Sequence, residues 1–446
     1  MPISPKGGLG FGPLGGMPLG GGDYSLTELI QSPQSSVFRK AHIRRRLSTT
    51  GLYETDWQDI SDLIKRWGTL ETRLDDIRLN KFTHNGVNLV VNNDGGDFNV
   101  HTNLNSLWNG SYLPRARSLL RIQAGYTDEF GGEYPVDTDT TQGIFILSDE
   151  VSIKSNSNDV TLRGSSLRSV FDEVRARDVG GIGTTQTASD IIARIRDYTD
   201  GSGVAIFQQF ISSGAWTIVT TTSNYALNTT TMEDLTVWDL MEKLAESETF
   251  VILINRTGGI EFRGRGARQA TAQWTMTGLD FPRPDIVNID EYKEATNKQY
   301  TFFRLKYLQP ETSTSYVSAG TTTSVNATNP SWVSGQKVYE ANNIFINNTA
   351  TAQTLVDSMY TTFGTLTSEA VIKTVLLPTL EILDRVEVSF HSYDLAGSTI
   401  WDGFDWDNAN WSVEGENFDW DNKAFALLSK STNLDDFTCT FRMREL

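Results

Sequence analysis

The feature that most limits the fold of this sequence is a run of short alternating segments separated by polar turns, from Trp57 to about Ser165. The segments are 88–92, 119–125, 141–147, 150–154 and 159–164. Alternation of apolar and polar residues is typical of strands with one buried face. Many short strands joined by turns favour a closed or nearly closed antiparallel β domain.

The hydrophobic period changes to that of a helix at Ser166–Ala176 and stays mixed up to residue 268. Possible capping boxes, Thr187 with Asp190 and Thr236 with Asp239, each precede an amphipathic helical stretch. An apolar segment, Phe250–Ile254, then faces 260–263 across a Gly-Gly turn and predicts a β-hairpin. Residues 177–268 are therefore predicted to form a compact α+β unit.

The chain returns to strand patterns after residue 268, at 299–307, 371–377, 385–390, 424–430 and 437–444. A helix is predicted at 349–363 and a polar loop at 311–330. We therefore predict a mainly β, α+β chain with two barrel-like antiparallel β domains, 36–176 and 269–446, and an inserted α+β domain, 177–268. Residues 1–35 are rich in Gly and Pro and are expected to be a flexible N-terminal extension.

Charge and composition limit the classes of partner. The 446 residues contain 38 Lys and Arg against 55 Asp and Glu, which gives a net charge of −17. Duplex DNA and anionic lipid are bound through positive surfaces, so neither is expected as a specific partner. The longest apolar runs are far shorter than the ~18 residues of a spanning helix, so we expect no membrane insertion.

A local basic cluster contrasts with this acidic balance: Arg39, Lys40, Arg44, Arg45 and Arg46. One interpretation is a solvated positive face of a strand or loop. The alternative is an electrostatic docking site for an acidic partner.

An internal repeat lies near the C-terminus, where Phe404–Asn408 recurs as Phe418–Asn422. Two such arms with a turn at Glu414-Gly415 would pair as a hairpin, with aromatic rings inward and carboxylates outward. The carboxylates could instead hold Ca²⁺, or the indoles could stack on sugars. The candidate surface comprises Trp401, Asp402, Asp405, Trp406, Asp407, Asp419, Trp420 and Asp421.

Catalytic motifs are weak or missing. The pattern Gly10–Gly15 matches a nucleotide-binding motif, but the prolines around it break the strand and helix that such a motif needs. The four histidines are far apart in sequence, and Cys439 lies in an alternating strand pattern that predicts a buried thiol. We therefore expect no enzyme activity, no cofactor and no metal centre.

Taken in order, the motifs resemble those of the tail hub (baseplate hub) proteins of tailed bacteriophages. The matching stretches are Trp57–Ile60, Leu79–Phe82, Gly86–Leu89, Asn92–Gly95 with Phe98, Tyr112-Leu113 with Arg115 and Arg117, Ala124–Tyr126, Gly143–Asp149, Ser166–Phe171, Thr249–Gly264 and Trp401–Leu446. Each motif is loose, and the resemblance comes from their colinear order from about residue 40 to the end. Residues 1–35 have no counterpart in this pattern.

The resemblance implies a structural virion protein that forms a homotrimer. Two barrel-like domains per chain would give a ring of six similar units that matches the six-fold tail tube or distal tail protein. The other side of the ring would join three-fold tip, fibre or spike proteins, and the lumen would be a DNA exit channel. Such a protein would be made in the host cytoplasm and reside at the tail tip of the virion.

Two other functions stay open at this stage. A six-fold distal tail adaptor would share the structural role but differ in subunit number. A glycan-binding or receptor-binding adhesin would use the tryptophans and aspartates of the repeat.

Overall fold

The computed structural model describes the greater part of the chain from residue 35 onward. The described residues are 35–74, 82–99, 104–110, 112–113, 117–128, 131–134, 140–148, 152–153, 158–179, 185–200, 203–226, 232, 234–278, 285–294, 302–308, 314–319, 338–343, 345–346, 349–363, 368–391 and 419–446. Within them the fold is mainly β with a few helices, which confirms the predicted class.

The N-terminal strands form a large antiparallel sheet. The strands of this region are β1 (Ser36–Arg44), β2 (Gln58–Asp59), β3 (Ile64–Arg66), β4 (Thr69–Leu74), β5 (Phe82–His84), β6 (Val87–Asn92), β7 (Leu119–Thr127), β8 (Glu133–Tyr134), β9 (Thr141–Leu147), β10 (Ser152–Ile153) and β11 (Asp159–Ser166). The first sheet has the order β2-β1-β7-β9-β11-β6-β3, while β8 and β10 pair with β7 and β11. The predicted strands are therefore present, and they pair with distant partners.

The alternation in β1 and β7 places apolar residues on one face of the first sheet. Ala41 and Ile43 of β1 and Ile122 of β7 have no exposed surface. The two strands are in antiparallel register from Ser36 opposite Thr127 to Arg44 opposite Leu119. Side chains of alternate residues, Arg44 among them, therefore lie on the opposite face of the sheet.

The described part of the middle region contains helices and small sheets. Its elements are α1 (Arg168–Asp172), β12 (Thr185–Thr187), α2 (Ala188–Arg196), β13 (Trp216–Ile218), β14 (Asn224–Ala226), α3 (Val237–Ser247), β15 (Phe250–Ile254) and β16 (Ile260–Gly264). At α3 the predicted capping box is complete, because Thr236 and Asp239 bind each other's backbone N–H groups. The predicted hairpin is β15–β16, and β13 joins it in parallel.

The core of this middle region is a cluster of aromatic rings around Phe171. Phe171 stacks on Phe207 at a centroid distance of 4.5 Å. Trp216 and Trp238 each lie 5.8 Å from the same ring. Because α1 is short, its position depends on this aromatic contact. The contact holds the segment that follows β11 against the middle region.

The described strands of the last part of the chain lie in two sheets. Its elements are β17 (Ala272–Thr277), β18 (Ile286–Glu294), β19 (Phe302–Leu308), β20 (Thr314–Ala319), β21 (Val338–Asn343), α4 (Thr349–Phe363), β22 (Ser368–Val375), β23 (Arg385–His391), β24 (Asp419–Asn433) and β25 (Thr438–Glu445). The second large sheet has the order β17-β23-β24-β25-β22-β18 and is antiparallel except for β17–β23. The predicted loop at 311–330 was wrong in part, because it contains β20.

One strand pairing and one packing contact cross the predicted domain boundaries. The boundaries themselves stay predictions. The β4–β5 hairpin lies within 36–176, yet β4 pairs with β24 of the second large sheet. Strands β20-β19-β21 and α4 lie within 269–446, yet they pack on the middle region. There Asn343 donates a hydrogen bond to the Ser247 hydroxyl at 2.8 Å.

The β15–β16 turn brings the middle region against the first sheet. Gly258 has a φ of 82°, a conformation that glycine adopts without strain. A Cβ atom at this position would lie 3.2 Å from Ile144 and Leu167. Both the backbone angle and the close approach therefore favour glycine at the turn.

Cys439 is fully buried and free, as predicted from the alternation of β25. None of the described helices is long and apolar enough to cross a membrane.

Replacing Phe171 by Ala should lower the free energy of unfolding by about 3–5 kcal/mol, because it leaves a cavity among three aromatic rings. Urea denaturation followed by tryptophan fluorescence would measure the change. Leu104→Ala is the control, since Leu104 is 89% exposed and its truncation should change little. Equal midpoints for the two variants would contradict the role of this aromatic cluster.

Candidate functional site

Three of the five residues in the basic cluster are paired with carboxylates inside the chain. Arg45 makes a bidentate ion pair with Glu54 at 2.9 Å and stacks on Tyr112. Lys40 forms a salt bridge with Glu133. Arg39 lies 3.3 Å from Asp435. Their charges are therefore partly neutralised within the fold.

Arg39 also links the first sheet to the second. Its guanidinium donates to the Leu434 carbonyl at 2.5 Å and lies 5.2 Å from the ring centres of Trp67 and Phe437. The same Asp435 carboxylate accepts from the backbone N–H of Trp67 at 3.1 Å. The β24–β25 turn is thus bound to β1 and to the residues before β4.

Arg44 and Arg46 have neutral partners. Arg44 donates to the Glu54 carbonyl oxygen at 2.5 Å, and Arg46 donates to the Gly51 carbonyl at 2.7 Å and to Gln209 at 3.0 Å. The structure brings all five basic residues onto β1 and the residues that follow it. The docking hypothesis for the cluster stays a prediction, with Arg44 and Arg46 as the members that have no carboxylate partner in the part of the chain that the structure describes.

The aspartate–tryptophan repeat is described only at its end. Trp401, Asp402, Asp405, Trp406 and Asp407 lie outside the described residues, as does the predicted turn at Glu414-Gly415, and Asp419 is described only as backbone of β24. Trp420 is buried, 5.1 Å from the ring of Tyr292 and 5.4 Å from that of Phe425. Asp421 is exposed. The ring of the second copy thus packs in the second sheet, opposite Phe390 of β23.

A buried ionic network joins the middle region to the second sheet, and the sequence analysis missed it. Arg268 lies 2.7 Å from Glu261 of β16, 2.5 Å from Glu381 and 3.1 Å from Asp384. Glu381 also accepts from the backbone N–H of Arg256 at 2.9 Å. The guanidinium therefore ties the β16 segment to the loop between β22 and β23.

The pKa values in this network reflect burial and charge together. Burial opposes the charge on Arg268, but Glu381, Glu261 and Asp384 outweigh it and raise the pKa of Arg268. Burial raises the pKa of Asp384 to about 6, against the lowering effect of Arg268. Burial likewise raises the pKa of Glu261. The network is thus held by a strongly cationic centre.

A small cavity lies beside the network, where both large sheets and the middle hairpin meet. It encloses about 40 Å³, room for a water molecule. Lys430 of β24 lines it and donates to the Leu380 carbonyl at 2.9 Å, the Pro378 carbonyl at 3.3 Å and Gln142 at 3.3 Å. Burial lowers the pKa of Lys430. All three ammonium donors thus have oxygen partners.

His84 of β5 lines the same cavity. Among the described residues neither ring nitrogen has a hydrogen-bond partner, and the ring packs 4.9 Å from that of Phe145. Burial lowers the pKa of His84 to about 4. The imidazole is therefore neutral at pH 7, and charging it requires an unfavourable buried cation.

The Arg268 network and the cavity beside it connect the first sheet, the second sheet and the middle region. Most of their hydrogen-bond donors and acceptors are paired with each other. Among the residues that the structure describes, no group of three or more His, Cys, Asp or Glu side chains could hold a metal ion. A sequence signal for the network did exist, since the charged residue Glu381 interrupts the apolar run Leu380–Leu383 and Asp384 directly follows it.

Comparison with known proteins places this geometry in a known fold. No protein-family model and no curated protein matches the sequence. The tail protein from Neisseria meningitidis MC58 superimposes with a TM-score of 0.50 and 12% identity, covering 91% of this chain and 96% of that one. The chain therefore shares the fold of a tail protein over nearly its whole length, which confirms the predicted resemblance at the level of fold.

Two other solved structures are similar to the chain. Prophage tail protein gp18 from Listeria monocytogenes EGD-e has a TM-score of 0.47 at 10% identity and covers 90% of this chain and 94% of that one. The 43 kDa tail protein of prophage MuSo2 from Shewanella oneidensis has a TM-score of 0.47 at 9% identity, with 91% and 98% covered.

His84 should make the protein less stable in acid. Its pKa is lower in the folded chain than its ordinary value of 6.5, so its contribution is complete above pH 6.5 and is lost as the pH falls toward 4. The loss amounts to about 3 kcal/mol. In His84→Leu, stability measured by urea denaturation from pH 7 to 4 should fall less steeply than in the wild type.

His42→Leu is the matched control, because burial and Arg121 lower the pKa of His42 while Asp59, 3.9 Å away, opposes this shift. It should flatten the pH profile less than His84→Leu does. Parallel profiles for His84→Leu and the wild type would show that His84 does not titrate as described.

Proposed function

We propose that this chain is a structural protein of a bacteriophage virion, a tail or baseplate hub that assembles as a homotrimer. In this role it connects the six-fold tail tube, or a distal tail protein, to three-fold tip, fibre or spike proteins. It frames the channel through which the genome leaves, and it acts without catalysis. It is assembled in the host cytoplasm and resides at the tail tip.

One observation carries the proposal: the fold matches a tail protein over 91% of this chain and 96% of the other. A match over more than nine-tenths of both chains concerns the whole architecture and not a single common domain. The colinear hub-like motifs, which come from the sequence, support the same function.

The architecture suits a ring. Each chain contributes two large sheets, one ending at β2 and β3 and the other at β17 and β18. A trimer would therefore place six such sheets around an axis, and contacts between neighbours would cover edge strands that otherwise invite aggregation.

The charge of the chain suits a DNA channel. Affinity for phosphate comes from cationic contacts, so a protein with a net charge of −17 holds passing DNA weakly. The buried network around Arg268 fits this role as well, because it keeps the middle region and the second sheet in a fixed relation without exposing cations.

The mass of the purified assembly tests the proposal, by native mass spectrometry and by light scattering. We expect a trimer, three times the 49.6 kDa of one chain. The trimer should capture the tail-tube or distal tail protein encoded in the same genome when the two are co-expressed.

Other masses would contradict the hub. A hexamer would favour the six-fold distal tail adaptor. A monomer that stays monomeric with the tail-tube partner would overturn the trimeric hub, and protection of tryptophan fluorescence by saccharides would then favour the adhesin.

A further inference from the structure

Three arginines have no carboxylate partner among the residues that the structure describes: Arg44 and Arg121 on the first sheet, and Arg46 just after β1. Arg44 and Arg46 donate only to neutral oxygens. Arg121 of β7 makes no hydrogen bond within the described residues, and its Nε atom is buried. A buried guanidinium donor without an acceptor is costly, so this set stands out in an acidic chain.

The three guanidinium groups alternate with aromatic rings. Arg121 lies 4.6 Å from the ring centre of Trp57, and Arg44 lies 5.8 Å from the same ring. Arg44 and Arg46 lie 6.0 and 5.7 Å from the ring centre of Tyr53. We call this row, Arg121, Trp57, Arg44, Tyr53 and Arg46, the arginine–aromatic ladder.

The ladder runs along the border between the first sheet and the middle region. Tyr53 packs edge-on against Phe210 at 5.9 Å, and Arg46 reaches Gln209 beside it. All five side chains are partly exposed. The ladder is therefore a surface feature held in place from both sides.

Nearby charged groups leave the ladder positive. The carboxylates of Glu54 and Glu133 bind Arg45 and Lys40. Asp59 accepts hydrogen bonds from Ser61 and lies beside His42. At the far end Arg117 is paired with Glu173. Burial and the neighbouring Arg121 lower the pKa of His42, which favours the neutral imidazole, and a neutral ring does not offset the charge of the ladder.

We propose that the arginine–aromatic ladder is a docking surface for a carboxylate-rich segment of another protein. A guanidinium has five N–H donors, and the described hydrogen bonds use one on Arg44 and two on Arg46, so N–H donors remain for a ligand. Two parallel hydrogen bonds from such an edge match a carboxylate. The three uncompensated charges supply the complementary field.

The observations favour an acidic protein over nucleic acid. Nucleic acid is held by many cations along its backbone, and the −17 charge of the chain repels such a polyanion. The ladder offers three half-buried cations in a short row, which fits a few side-chain carboxylates. This inference does not depend on the hub proposal, since binding is measured on the purified chain.

The test is fluorescence anisotropy of a labelled hexaglutamate peptide with the full chain at low ionic strength. We expect saturable binding that weakens with salt, together with a change in tryptophan emission from Trp57. The double variant Arg44→Gln/Arg121→Gln should weaken binding at least tenfold. Arg44→Gln alone should weaken it in the same direction, which keeps the test valid if the double variant does not fold.

Two variants test whether binding depends on the ladder or only on the number of positive charges on the chain. Arg196→Gln removes the same charge from an arginine paired with Asp197 and should leave binding unchanged. Arg121→Lys keeps the charge but lacks the planar fork, and it should recover only part of the affinity lost in Arg121→Gln.

Three results would overturn the proposal. These are no saturable binding of the peptide, equal weakening by Arg196→Gln, and tighter binding of an oligothymidylate of equal charge than of hexaglutamate. The last result would assign the ladder to nucleic acid.

Discussion

The ion pairs of Arg268 are the contact on which the relative placement of the parts depends. The guanidinium meets a carboxylate of β16 and two carboxylates of the loop between β22 and β23. Taking these charges out of water is costly, and removing one partner of a buried pair typically costs about 3–5 kcal/mol. Such a network adds little net stability compared with apolar packing, but it penalises every arrangement in which the charges do not meet. It is therefore suited to fixing one orientation.

The elements with strong local signals could be predicted from the sequence. The capping box at Thr236 and the hairpin that ends at Gly264 depend on neighbouring residues, and both are present where the pattern indicates. The position of Lys430 could not be predicted in this way. A register shift between Leu427 and Ser429 breaks the alternation of β24, so Lys430 lies in the interior beside Gln142, which is distant in sequence.

The basic cluster shows the same limit, because the sequence gives the positions of its charges but not the distant residues that pair with them. The sequence places Arg39, Lys40, Arg44, Arg45 and Arg46 in one cluster. The carboxylates that pair with Arg39 and Lys40, Asp435 and Glu133, are distant in the sequence, whereas Glu54, the partner of Arg45, is near. Linear clustering therefore overstates the free positive charge of β1. Arg121 is distant from this cluster in the sequence, and only the pairing of β1 with β7 brings it beside Arg44.

The pairing of β4 with β24 has a consequence for synthesis of the chain. Strand β4 belongs to an early part of the sequence, but its partner comes near the C-terminus, with Arg73 opposite Ser429. At roughly 5–20 residues per second, the ribosome needs on the order of tens of seconds to make the intervening chain. Strands β1, β7, β9 and β11 can pair during that interval, whereas one edge of β4 stays open until β24 has been made. The second large sheet is therefore completed later than the first, and the chain passes through a state with an exposed strand edge that chaperones could protect.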